Sequence, residues 1–581
     1  MELRHRGSPR LTVRRSVLVL AFLLLAFPAA AHAVNPTLPP SQTEPPKFFK
    51  RSGVEVARIA ERASKVRAAE RAGHLEPTSY TRGFGRWQVS FFRDGKEVVQ
   101  VSVDDASGAI LEQWSGYQVA WRMARGYPGA FGRKLNAPYV WLPLCALFLL
   151  PFIDFRRPLR LLHLDLVVLL GFGASHVFFN RGDIGVSVPL VYPVLLYLLV
   201  RMLLAGLRPR ARPGRLVPYV PMAWLAVALV FLVGFRVALN VVDSNVIDVG
   251  YAGVLGADRI ADGHQLYGDG FSRDVPKGDT YGPVNYLLYV PFEQAMPWSG
   301  RWDDLPAAHG AAIAFDLLTI GVLLLLGRAL RPGREGTALG VALAYAWAAY
   351  PYTAFALETN SNDTLVALAC AGALLAYARR SSVGTGLALG LGAAAKFAPL
   401  ALAPIFARRR PLVLGLTVAA VLALTVVPFI PDGGLRELYD RTLGYQVARG
   451  SPFSVWGQEP SLHWLQTLVK AGGVGLTLLV AFVPRRPSDR QLAALGAAVL
   501  IALQLPVNHW FYLYVVWFVP FVLVASFGAV TAPPAPVAGE STWRAHPSRL
   551  PRAPRSATGP QSPSRSAPAL ASGSARSRAP S

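Results

Sequence analysis

Cysteine is nearly absent from this chain of 581 residues: there are two, Cys145 and Cys370, and both sit inside apolar runs. Neither a disulfide framework nor a C-x-x-C metal site can be built from them, so any exported part has to fold without covalent staples. Charge is scarce too, at 16% of residues, and acids are fewer than bases, 34 against 58. A chain that is 52% apolar, with its apolar residues in blocks near the ~20 needed to cross a bilayer, is no ordinary soluble protein. No Gly-rich phosphate loop and no nucleotide-binding fingerprint is found. The formal charge of +24 does not argue for nucleic acid, because the arginines gather in short loops between apolar blocks and in the tail, where they set orientation. What is present is a multi-pass membrane protein.

The first 33 residues have the three parts of a secretory signal: basic Arg10, Arg14 and Arg15, an apolar core from Val17 to Phe27, and Ala31-His32-Ala33 as a cleavage site. The chain beyond Ala33 is expected to emerge outside the cytoplasm. Residues 50–136 are soluble in character and carry both periodicities. Val56, Ile59, Ala60, Ala63 and Val66 make a helical stripe, while Trp87, Val89, Phe91 and then Val99, Val101, Val103 alternate as strands. Asp94-Gly95 is a hairpin turn, and Gly108 closes a second turn before Ile110 to Trp114. One helix and a three-strand meander are expected, with no catalytic constellation. The domain is therefore expected to bind or regulate.

Accessory spans are expected over 137–218, at 137–153, 163–180 and 188–205, and a main transmembrane body over 219–528. Within the body, spans fall at 219–240, 307–330, 337–356, 362–378, 411–430, 462–483, 489–507 and 509–528. Arg156, Arg157 and Arg160, then Arg208 to Arg215, then Arg328, Arg331 and Arg334 put alternate loops in the cytoplasm, which leaves the acidic loop after residue 240 outside. Residues 384–407 have arginines at both ends, so they must go up and come back, breaking near Lys396-Phe397-Ala398-Pro399. Lys396 then lies deep or near the outer face, as a functional lysine or a structurally paired one. Residues 531–581 are Pro, Ser, Ala and Arg and are expected to be a disordered basic cytoplasmic tail. The expected fold class is an all-α polytopic membrane protein of about 12–13 spans with a small α+β extracytoplasmic domain.

Several stretches carry resemblances. Val103-Asp104-Asp105-Ala106-Ser107-Gly108-Ala109-Ile110-Leu111, after one helix and two strands, resembles the small PepSY-type domain. Over roughly 220–528, an outer acid after an early span is followed by TYGPVNYLLYVPF (280–292), GLALGLGAAAKFAPLALAPIF (386–406), ARGSPFSVWG (448–457) and NHWFYLYVVWFVPF (508–521). In that order they resemble the GT-C glycosyltransferases, and most of all glycosyltransferase family 87.

The resemblance implies an enzyme that moves a sugar, mannose or a pentose, from a polyprenyl-phosphate donor to a hydroxyl of a cell-envelope glycan, glycolipid or protein on the outer face of a bacterial plasma membrane. It also implies that an acid of the first outer loop acts as base. Asp248, three residues before Tyr251, fits the D-x-x-Y spacing, and Asp243 is the alternative, with a surface acid or an ion-pair partner of Arg236 as its structural reading. Lys396, Arg449 and His509 are the candidate cations for the donor phosphate. Tyr281 is a candidate for sugar or lipid contact, and Asp316 and Asp363 are weaker functional candidates. No cofactor is required, and a divalent metal stays open. The rival readings are a lipid-linked-sugar transporter and a membrane sensor working through its exported domain.

Overall fold

The computed structural model describes residues 36–83, 85–126, 131–208, 219–271, 275–300 and 305–527. The expected signal segment and basic tail lie outside the described residues. In the N-terminal part, β1 (Glu76–Thr81), β2 (Arg86–Arg93), β3 (Lys96–Asp104) and β4 (Ile110–Ser115) pair in chain order as an antiparallel meander. Asp94 and Gly95 both take positive φ in the two-residue turn, as the Asp-Gly signal predicts. The inward residues are those of the alternation: Trp87, Val89, Phe91, Val99, Val101 and Val103 are buried against Val56, Ala60 and Val66.

Two expectations change in this domain. The helical stripe is carried by two short helices, Gly53–Ala60 and Ser64–Glu70, because the chain turns extended at Ala63. The sheet also has a fourth strand, β1, with a proline at its second position. A proline cannot donate to a ladder, but β1 is an edge strand whose only strand neighbour is β2.

The body is helical throughout its described residues. Among the described residues, six helices are long and apolar enough to cross a membrane: Leu161–Asn180, Ile184–Leu207, Met222–Asp243, Pro306–Leu330, Pro411–Phe429 and Pro460–Phe482. Shorter apolar helices at Pro138–Phe152, Asp363–Ala378, Ser382–Ala395 and Tyr512–Phe527 fall where further spans are expected. The segment expected to break near Lys396 does so: helix Ser382–Ala395 stops there, Lys396 is extended, and a tight turn over Ala398–Leu402 follows. Pro351 divides the apolar stretch after Gly333–Ala349, leaving a short helix Pro351–Glu358 whose residues are all buried.

The acidic loop is more structured than its composition suggests. It opens on helix Asp248–Ala261, followed by the short helices Pro283–Leu287 and Val290–Ala295. Glycines at 250, 253 and 256 recur every third residue and let this helix lie in close contact with its neighbours. A Cβ at Gly253 would sit 2.8 Å from the Tyr289 ring, and one at Gly256 would overlap the Tyr286 ring. At Gly250 it would run into the carbonyl of Asn360. Three close approaches to the helix backbone therefore fix where the helix begins.

Candidate active site

The site is built on a buried polar run. Glu358, Thr359, Asn360, Ser361, Asn362 and Asp363 are consecutive and essentially without solvent exposure. The first two use their carbonyls as a template, accepting from the N–H of Asn245 at 3.1 Å and of Ile247 at 3.0 Å. Asn360, at a positive φ, donates its side-chain amide to Asn245 O and Ser244 Oγ, both at 3.0 Å, and accepts from Asn240 Nδ2 at 2.9 Å. The link between helix Met222–Asp243 and helix Asp248–Ala261 is thus held by backbone and amide bonds, and Asp248 emerges at the first position of its helix.

Asp363, at the other end of the run, meets Lys396. The ammonium lies 2.7 Å from Asp363 Oδ1, and the indole N–H of Trp517 donates to the same oxygen at 2.9 Å. Around the ammonium stand the rings of Tyr281, Trp517 and Tyr514, with centroids at 5.0, 5.7 and 5.9 Å. An aromatic box of this kind stabilises a cation withdrawn from water. Asp363 is 1% exposed and Lys396 11%, so the pair is sequestered yet the lysine keeps some access.

Arg449 is placed differently. It follows the short helix Tyr445–Ala448, and its guanidinium lies over Trp121 (5.3 Å to the ring centroid) and Tyr445 (6.0 Å). Its Nε is buried without an acceptor, and it forms no ion pair among the described residues. His509 shares this wall: its Nδ1 is 2.8 Å from Ser451 Oγ, and its ring packs against Trp121 and Phe453.

Electrostatics tie these groups into one cluster. Withdrawal from water pushes the Asp248 carboxyl above the ordinary aspartate range; Arg449, the Val249 N–H at 2.9 Å and Lys396 pull it back, while Asp363 adds to the rise. The Tyr281 phenol is pushed well above its usual range, first by burial and then by the carboxylate of Asp248, so it remains a hydrogen-bond donor. A carboxylate of raised basicity flanked by two cations can take a proton from a hydroxyl and hold an anion beside it.

Five of the six residues expected from sequence, Asp248, Tyr281, Lys396, Arg449 and His509, are brought together. Asp243 is not. It closes helix Met222–Asp243, accepts from the Lys134 N–H at 3.2 Å and lies 3.9 Å from its ammonium. Arg236, the candidate ion-pair partner of Asp243 by sequence, instead pairs with Asp316 at 2.6 Å, where Trp347 Nε1 also donates at 2.9 Å. That pair is enclosed on all sides and reads as an internal brace. Asp363, a lesser candidate by sequence, is central. Trp121 and Trp517 are neighbours of these cations that the sequence does not single out; nothing in the sequence marks a tryptophan of the N-terminal domain as a neighbour of residue 449. Among the described residues, no group of three or more His, Cys, Asp or Glu side chains is placed to hold a metal ion.

Residues 280–506 match the profile of Glycosyltransferase family 87. The matched segment contains Tyr281, Asp363, Lys396 and Arg449, while Asp248 and His509 flank it. Comparison with the curated proteins gives no match.

Proposed function

We propose that this polytopic membrane chain, whose residues 280–506 match glycosyltransferase family 87, is a transferase that takes mannose or a pentose from a polyprenyl-phosphate donor. The acceptor is a hydroxyl of a cell-envelope glycan, glycolipid or protein at the outer face of the plasma membrane. Asp248 is the base, Arg449 holds the departing phosphate, and Lys396, fixed by Asp363, supplies a second positive charge. The observation that carries this reading is that Asp248 lies within electrostatic reach of both Arg449 and Lys396, with the guanidinium free of any ion pair among the described residues.

The chemistry asks little more of the protein. A sugar on a phosphate carrier is already activated, so the enzyme has to hold the leaving group, orient the acceptor and remove its proton. As the acceptor oxygen bonds to the anomeric carbon, the carbon–oxygen bond to phosphate breaks, its electron pair leaves with the phosphate, and the hydroxyl proton passes to Asp248. Arg449 suits the phosphate better than Lys396, whose charge is already matched by Asp363.

The test is transfer from radiolabelled polyprenyl-phosphate sugars by purified full-length chain. Asp248→Asn should lose on the order of 10²- to 10⁴-fold in turnover, about 3 to 5 kcal/mol, with donor binding nearly intact. Asp243→Asn should stay within about threefold of wild type, since it removes only a partly exposed pairing with Lys134. Collapse of the Asp243 variant beside an active Asp248 variant would move the base to Asp243. Full transfer in both variants would remove both acids from the role of base, and absence of transfer by the wild-type chain would sink the transferase reading in favour of a transporter.

A further inference from the structure

The exported domain ends in a segment that does not stay with its own sheet. After β4, Gly116 turns at positive φ and residues 117–126 run onto the transmembrane body. Tyr117 donates its hydroxyl to Gln458 O at 3.3 Å, and the Gln118 side-chain amide donates to Gly182 O at 3.0 Å. Gly126 and Gly182 meet backbone to backbone, since a Cβ on Gly126 would overlap the Gly182 nitrogen. The same segment remains tied to the domain: Lys65 donates to Gln118 Oε1 at 3.1 Å, and Arg125 donates to Gln100 Oε1 on β3. One strap thus touches the sheet on one side and the body on the other. At its middle stands Trp121, edge-on to Phe453 at 5.6 Å, tilted against His509 at 5.9 Å and beneath the guanidinium of Arg449 at 5.3 Å.

We infer that Trp121 is a positioning residue for donor binding, through which the exported domain supplies part of the phosphate-holding wall. The inference rests on the assignment of Arg449 to the donor phosphate. Among the described residues Arg449 has no carboxylate to hold it, so its direction is set by the two rings it covers, and Tyr445 is its own neighbour one helical turn back. Trp121 is the partner that comes from elsewhere in the chain. A guanidinium held over an indole face spends none of its N–H groups on that contact, so they stay available to a phosphate, whereas a carboxylate partner would occupy them. The domain therefore acts on the donor side of the reaction.

The experiment measures donor KM and kcat separately for Trp121→Leu, Trp121→Phe and Arg449→Ala, each in the full-length chain, and for the double variant of Trp121→Leu with Arg449→Ala. Leucine keeps apolar bulk without a ring face, and phenylalanine keeps the face. Trp121→Leu should raise donor KM about 3- to 30-fold with kcat within about twofold, and Trp121→Phe should restore most of it. In the Arg449→Ala background, Trp121→Leu should add nothing further to donor KM, because the group it orients is gone. Equal donor KM for the leucine, phenylalanine and wild-type chains, alongside a raised KM in Arg449→Ala, would overturn the inference while leaving the phosphate assignment standing. Unchanged donor KM in Arg449→Ala would overturn that assignment itself. Additive losses in the double variant would show that Trp121 acts on the fold at large and would also refute the positioning role.

Discussion

The pairing of Asp363 with Lys396 yields a prediction that separates stability from activity. At 2.7 Å and an effective dielectric near 20, two unit charges attract by about 6 kcal/mol, and withdrawing both from water costs several kcal/mol for each, so the net contribution of the intact pair is small. Removing one partner is another matter. Asp363→Asn leaves an ammonium in a box of Tyr281, Trp517 and Tyr514 without the carboxylate it touches, which should cost about 3–5 kcal/mol. Lys396→Met should cost less, because Asp363 keeps the indole N–H of Trp517. Combining the two replaces an ion pair by a neutral amide and an apolar chain of similar length, and stability should return to within about 1 kcal/mol of wild type. The measurement is reversible unfolding in mixed micelles for the four proteins, together with donor transfer for each. The double variant should be stable and nearly inactive. Additive destabilisation in the double variant would show that the two charges do not act as a unit, and a stable double variant with wild-type transfer would remove Lys396 from the donor site.

Asp248 works as a base only when deprotonated and its carboxyl is pushed up, so kcat/KM should rise with pH through a limb lying above the ordinary aspartate value of 3.8, and that limb should vanish in Asp248→Asn; a flat profile down to that value in wild type would contradict the assignment. Gly256→Val should destabilise helix Asp248–Ala261 by about 1–3 kcal/mol, because its side chain must displace the Tyr286 ring, and transfer should fall with it; a fully stable variant would show that the close approach is unimportant. Cysteines replacing the exposed Asp269 and Arg436 should react with an impermeant thiol reagent in intact cells, whereas one replacing Arg334 should require permeabilised cells; the reverse pattern would place the acidic loop in the cytoplasm.

How much of the molecule is legible in its sequence depends on how locally the information is written. Helix positions in the body come from runs of apolar residues bounded by arginines, and these are properties of adjacent residues; the break at Lys396 comes from the two arginine clusters and Pro399 in the same way. Strand β1 is not legible, because Glu76-Pro77-Thr78-Ser79-Tyr80-Thr81 lacks apolar alternation, and its place comes from pairing with β2. Helix Asp248–Ala261 is masked by acids that read as a solvated loop, although Gly250, Gly253 and Gly256 hold the signal of a helix face in tight contact. In the site, residue types mark Asp248, Lys396 and Arg449, but spacing along the chain says nothing about which acid each cation meets. Asp363 lies 33 residues before Lys396, and Trp121 lies far upstream of Arg449; both contacts are made by tertiary packing alone.

The buried run from Glu358 to Asp363 has a consequence for how the protein sits in lipid. It fastens the start of the Asp248 helix at one end and carries the acid that fixes Lys396 at the other, so the separation of Asp248 and Lys396 is measured along a short stretch of backbone. Long helices such as Met222–Asp243 and Pro306–Leu330 can then tilt to match a thicker or thinner hydrocarbon layer while these groups move together as one piece. Hydrophobic mismatch would be absorbed at the far ends of those helices, leaving the separation of Asp248 and Lys396 to be set by buried polar bonds.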